Sequence, residues 1–212
     1  ELGLVFRDGE FARLLGPGRR WLLDPLGRTQ VQVVSQRAPW LVHEQLDMIV
    51  KSGALAGRAL VLDLKDHERA LVWIDGRFSH ILPSGLHAYW TSQKDVRVEL
   101  IDARQVRFDH KDLSVIIRSQ GAKLALDICN VERDRVGVLF IDGRYVDTLP
   151  PGQYAFWKGP ADARVVEVDL RETTGDISGQ EIMTADKVTL RVNASVTYRI
   201  VDARKAVSST DD

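Results

Sequence analysis

Gly137-Val-Leu-Phe-Ile-Asp-Gly-Arg-Tyr145 is an apolar run that enters an Asp-Gly pair and leaves it on an aromatic residue. Two other stretches read almost the same: Gly3-Leu-Val-Phe-Arg-Asp-Gly-Glu-Phe11 and Ala70-Leu-Val-Trp-Ile-Asp-Gly-Arg-Phe78. Their glycines, Gly9, Gly76 and Gly143, are 67 residues apart in both steps (76 − 9 and 143 − 76). Gly18, Gly85 and Gly152 keep the same offset, as do Arg37, Arg104 and Arg171. Independent positions that share one period mark a tandem repeat, and such a repeat decides the architecture before any single motif does.

Each copy reads as β structure. Asp-Gly between apolar runs predicts a two-residue hairpin, because the type I′ turn needs positive φ at both central residues. A second turn follows at Gly16-Pro17-Gly18, Pro83-Ser84-Gly85 and Pro150-Pro151-Gly152. Aromatic strands come next at 86–90 and 153–157, then strands of period two at Val96–Leu100 and Val166–Leu170. The tails vary more. A short helix is expected within Pro39–Val50, with Leu41, Leu46, Ile49 and Val50 facing inward, then a strand over Leu60–Leu64. Strands are expected over Leu113–Ile117, with a helix as the alternative, and over Leu124–Ile128. Lys187–Ile200 reads as one long alternating strand with a bend near Asn193. The expected fold is therefore mainly β (α+β): three tandem small antiparallel units at 1–67, 68–134 and 135–212. A unit of this size has a small core, so neighbouring copies should share an interface.

Composition narrows the function. Lys and Arg number 29 against 30 Asp and Glu, a net charge of −1, which supplies no basic field for nucleic acid. Cys129 is the one cysteine, so no internal disulfide forms. The longest apolar stretch, Val136–Ile141, is strand-sized and far short of a membrane span. No signal peptide is visible, and Glu1 in place of Met implies a trimmed start, which leaves an upstream anchor open.

The third copy resembles a known family. Glu167-Val-Asp-Leu-Arg171, then Gln180-Glu-Ile-Met-Thr-Ala-Asp-Lys-Val188 and Tyr198-Arg-Ile200, are similar to the opening of the SPFH (band 7, stomatin/slipin) domain. Gly137–Gly152 resembles the segment that precedes it in that family. The whole resembles bacterial slipins with two additional N-terminal copies of this opening unit, the last copy being the β-rich first half of an SPFH domain. The resemblance implies a non-catalytic scaffold. It would form a homo-oligomer at a membrane, on the cytoplasmic face of the bacterial inner membrane, and organise lipid or membrane-protein partners. The family would continue past Asp212 into a helical half and a coiled coil, so this stretch alone is expected to be soluble and a monomer or weakly self-associating. A soluble β-repeat adaptor that binds a protein partner is the alternative.

Chemistry is sparse. His43-Glu44-Gln45-Leu46-Asp47 lacks the second histidine one helical turn on that a zinc protease needs. His43 and His110 are one period apart, which points to a shared structural position, and Asp109–Asp112 reads as a charged loop. Cys129 reads as a small buried hydrophobe. No P-loop, G-x-S-x-G or dinucleotide fingerprint occurs, and no catalytic residue, metal site or cofactor is assigned. Of the five tryptophans, core packing is expected for Trp21, Trp73, Trp90 and Trp157. Trp40, between Pro39 and Leu41, is the candidate for an exposed contact, with Arg77 and Arg144 at the hairpin tips as candidates to meet anionic lipid or a partner.

Overall fold

A computed structural model describes residues 1–19, 21, 24 and 26–209. Strands β1 (Leu2–Arg7) and β2 (Glu10–Leu15) form a hairpin, and β3 (Thr29–Val34) pairs with the other edge of β1. Helix α1 (Leu46–Lys51) and strand β4 (Ala59–Leu64) follow. The pattern restarts with β5 (Glu68–Ile74), β6 (Arg77–Leu82), β7 (Gly85–Trp90) and β8 (Val96–Asp102), then β9 (Arg107–Phe108), α2 (Leu113–Ile116), α3 (Gln120–Ala125) and β10 (Leu126–Val131). It restarts again with β11 (Arg135–Ile141), β12 (Arg144–Leu149), β13 (Gly152–Trp157) and β14 (Ala163–Asp169). A long hairpin, β15 (Thr173–Met183) and β16 (Thr189–Tyr198), and α4 (Ala203–Ser209) complete the described chain. The protein is mainly β, in several small antiparallel sheets.

The Asp-Gly pairs form the turns their chemistry predicts. Asp8, Asp75 and Asp142 have φ of 54°, 51° and 50°, and Gly9, Gly76 and Gly143 follow at 84°, 75° and 75°. Positive φ at both positions gives the twist that matches a right-handed hairpin. Each aspartate N–H also donates to a carbonyl just before the third strand of its sheet: Arg28, Asp95 and Asp162, at 3.1, 2.9 and 2.9 Å. One register shift recurs in all three hairpins, at Val5/Phe6, Val72/Trp73 and Leu139/Phe140. The repeat is thus conserved in three dimensions down to its bulge.

The copies are interlocked. Strand β4, from the tail of the first copy, pairs along its whole length with β7 of the second, Ala59 opposite Trp90 through Leu64 opposite Gly85. Strand β10 pairs in the same way with β13 of the third, Leu126 opposite Trp157 through Val131 opposite Gly152. The cores obey the same rule. Leu64 packs with Ala70, Val72, Leu82 and Tyr89, and their counterparts Val131, Leu139, Leu149 and Phe156 pack together 67 residues later. Burying one such aliphatic side chain contributes about 1.5–3 kcal/mol. Each tail strand therefore completes the core of the copy that follows it.

By contact the chain divides into two compact units, residues 1–105 with 110–125, and residues 106–109 with 126–212. In the first, Leu4 and Phe6 of β1 pack with Leu41, Ile49 of α1, Leu55 and Trp90. In the second, Val138, Val168 and Ala203 of α4 form a further cluster.

Three expectations need correction. Leu113–Ile116 is helical, and the strand expected over Leu124–Ile128 begins at Leu126, after α3. The β-branched residues of Leu113–Ile117 favour a strand, but the helical turn buries Ile116 and Ile117, and burial overrides propensity. The charged Asp109–Asp112 segment is a loop as expected, with the His110 side chain only 5% exposed. Trp21 is 89% exposed, whereas Trp73, Trp90 and Trp157 are buried. Its counterparts one and two periods on are Ala88 and Ala155, so Trp21 stands two residues out of register with Trp90 and Trp157.

Candidate functional site

Trp40 is half exposed and faces a cleft of about 580 Å3 in the N-terminal unit. Its backbone forms a single antiparallel bridge with Tyr89. Leu41 N–H donates to Ala88 C=O at 2.8 Å on one side of the bridge, and Trp90 N–H donates to Pro39 C=O at 2.6 Å on the other. A pair placed between two such bonds is of the close kind, with both side chains on one face. His80 lies edge-on to Trp40 at 6.3 Å, and its Nε2 is 2.7 Å from the Tyr89 hydroxyl. Burial pushes the Tyr89 phenol up to about 12. Burial also lowers the His80 pKa, with the charge of His87 as the smaller cause. Leu46, Leu82 and Leu86 supply apolar lining, and the exposed carboxylates of Glu44 and Asp47 stand at the rim.

Arg77 and Arg144 are both exposed, each directly after an Asp-Gly turn. Neither lines the Trp40 cleft. Sequence reasoning singled out Trp40 but missed His80 and Tyr89, because their approach depends on β6 and β7 rather than on any local motif.

The histidine pair has a shared structural position. His43 Nδ1 accepts the Gln45 N–H at 3.0 Å, and His110 Nδ1 accepts the Asp112 N–H at 3.0 Å. On the far side, His43 Nε2 meets Gln32 at 2.8 Å and His110 Nε2 meets Glu99 at 3.3 Å. Their rings rest against Phe6 and Trp73 respectively. Every partner pair is itself 67 residues apart. Cys129 lies half buried in β10 opposite Tyr154, and burial, then the charge of Glu167, pushes its thiol up, away from nucleophilic use.

The Asp-Leu-Arg triplet at 169–171 is a local clasp. Asp169 accepts the Arg171 backbone N–H at 2.9 Å and its Nε at 3.0 Å. Asp102 holds Arg104 in the same way, at 3.0 Å for each contact. The arginine side-chain hydrogen bond is the main reason both carboxyls are lowered to about 2.

The β15–β16 hairpin is exposed along both strands. Residues directly opposite in an antiparallel pair share a face. One face therefore carries Leu190, Val192, Ala194, Val196 and Tyr198, with Ile182 opposite Leu190 and Ile177 opposite Ala194. The other carries Asp176, Glu181, Arg191, Ser195 and Thr197. The irregularity of the hairpin is a register shift in β15, between Ile177 and Gln180, where the Asn193 side-chain oxygen accepts the Gly179 N–H at 2.9 Å, while β16 itself runs unbroken over Thr189–Tyr198. No helix among the described residues is long and apolar enough to cross a membrane.

Residues 129–212 match the SPFH domain / Band 7 family. An uncharacterized protein of Archaeoglobus fulgidus is 46% identical over 76 residues, 36% of this chain and 30% of that protein. A stomatin homolog of Pyrococcus horikoshii is 41% identical over 85 residues, 40% of this chain and 31% of its own length. Mouse stomatin is 35% identical over 78 residues, 37% of this chain and 27% of its own. The chain thus spans about 30% of the length of the first two relatives. No solved structure matches it significantly. Residues 129–212 are thus similar to the SPFH domain / Band 7 family, and stretches of the chain are similar to stomatin and to stomatin homologs.

Proposed function

We propose that this chain is the β-rich part of a non-catalytic, stomatin-like scaffold that assembles with itself at a membrane and organises lipid or membrane-protein partners. The SPFH match over 129–212 is the observation that carries this reading. The exposed apolar face of β15–β16 supports it, since an uncovered patch of this kind is a surface for association. The repeat adds two copies of the opening unit ahead of the SPFH segment, and the tail strand of each completes the core of the copy that follows. The bacterial, slipin-type assignment and the location on the cytoplasmic face of the inner membrane belong to the same proposal.

Liposome flotation and sedimentation of the protein in its natural sequence context, with and without residues 1–105, test it. The truncation point keeps β9 and β10 with β13, so the second unit retains its core strands. Loss of membrane recovery or of large assemblies on truncation is the expected result. Identical behaviour with and without the first 105 residues would remove the first copy and the opening sheet of the second from the scaffold's function.

The soluble-adaptor reading has its own support in the Trp40 cleft, which is shaped for a side chain rather than for a bilayer.

A further inference from the structure

We infer that the Trp40 cleft takes a lysine or arginine side chain presented on an apolar segment of a partner protein. This deepens the protein-contact part of the proposed function and does not depend on membrane contact.

Four features of the cleft carry the inference. First, Trp40 is held by its bridge to Tyr89 and by the edge of His80, yet remains 48% exposed. A fixed, accessible indole is the best cation-binding ring among the side chains. Second, Leu46, Leu82 and Leu86 line the cleft, and the aliphatic stem of a long basic side chain packs on such a surface while its charge stays at the rim. Third, the charges on the lining are Glu44 and Asp47, with no lysine or arginine among the lining residues. Lys51 stands 3.7 Å from Asp47, but both are widely exposed, and such a pair contributes little and exchanges readily. Fourth, Val42 is 83% exposed beside Trp40, an apolar contact for residues flanking the basic one. The volume, about 580 Å3, holds one long side chain and its neighbours.

The histidines on the lining do not oppose this. His80 is bonded to the Tyr89 hydroxyl and to Ser79, and its lowered pKa keeps it neutral at physiological pH. His43 gives its Nδ1 to a backbone N–H, and His87 Nε2 lies 3.1 Å from the Pro83 carbonyl. The second copy lacks the site. One period on, Trp40 is replaced by Arg107, Glu44 by Lys111 and His80 by Asp147. The first joint between copies therefore carries a recognition surface that the second does not.

Fluorescence anisotropy on the full chain tests this, with a labelled Leu-Lys-Val-Arg-Leu peptide as the probe. A Leu-Glu-Val-Glu-Leu peptide and phosphatidylcholine vesicles are the comparison ligands. The basic peptide should bind at least about tenfold more tightly than the acidic one. Glu44→Lys and Trp40→Ala should each weaken it about tenfold, by charge and by loss of the ring. Asp66→Lys, a charge change of the same size in an exposed turn away from the cleft, should leave binding within about twofold. Glu44 is exposed, so its variant keeps the test valid should Trp40→Ala disturb folding. Equal binding of the two peptides, or an unchanged affinity in Glu44→Lys, would overturn the inference. So would displacement of the peptide by phosphatidylcholine vesicles, which would give the cleft to a quaternary ammonium headgroup. Flotation does not enter this assay, so the scaffold reading and this one can fail separately.

Discussion

Replacing Gly137 with alanine probes the interlock of the copies at one atom. A Cβ at Gly137 would lie 2.7 Å from Val165 Cγ1 and 3.0 Å from Val131 Cγ2. Val165 comes from the same copy, on β14, and Val131 from the preceding copy, on β10. Valine has little freedom at χ1, so neither methyl can turn aside without shifting its strand. Overpacking of this kind costs about 1–3 kcal/mol. Removing the glycine's freedom in the unfolded chain returns about 0.4–1 kcal/mol. The net expectation is a loss of about 1–2 kcal/mol. The counterpart Gly3 meets Val31 Cγ1 at 3.3 Å and Leu15 Cβ at 3.5 Å, so Gly3→Ala should be close to neutral. Nature has already made the change in the second copy, where Ala70 is fully buried. Urea unfolding followed by hydrogen exchange at β1 and β11 amides separates the two sites. A Gly137→Ala protein as stable as its parent, or a Gly3→Ala protein that loses more, would refute the claim that the tail strand and the next sheet are close-packed here.

Two further outcomes follow from the same geometry. Tyr89 has its pKa raised by burial to about 12, so its stabilising neutral form is fully present below about pH 10 and is lost as pH rises through the folded value. Tyr89→Phe should flatten the alkaline limb of a stability profile between about pH 10 and 12, and an unchanged limb would count against the burial argument. Placing lysines at Val192 and Val196, both on the apolar face of the β15–β16 hairpin, should lower binding of a hydrophobic dye and raise solubility while leaving circular dichroism intact. Unaltered dye binding would show that the hairpin face is not the exposed apolar surface.

The sequence carried the local chemistry well. Asp-Gly pairs, the 67-residue offset and the period-two strands are short-range signals, and each appears where its residues predict. The match of the third copy to SPFH sequence was readable for the same reason, since its motif is contiguous. Partner choice was not readable. Nothing in Ala59–Leu64 says that it pairs with β7 rather than with its own copy's sheet, because edge strands are selected by long-range closure of a core. Trp21 departs from the core packing expected of it, because it stands two residues out of register with Trp90 and Trp157 and so outside the equivalent site. At the candidate site, Trp40 was legible from its flanking proline and leucine. Its wall of His80 and Tyr89 was not, since those residues come together only when β6 and β7 fold back beside residues 39–41.

Laying β4 against β7 has a consequence for anyone who divides the chain. A protease nick at exposed Lys65 would sever the backbone between the first two copies. The amino-terminal fragment would still be held by six residues of ladder and by the anchored Leu64. The two pieces should co-elute and, once parted in denaturant, recombine on dilution. A gene split at the sequence period would yield complementary halves, each with an empty seat for the other, in place of two autonomous modules.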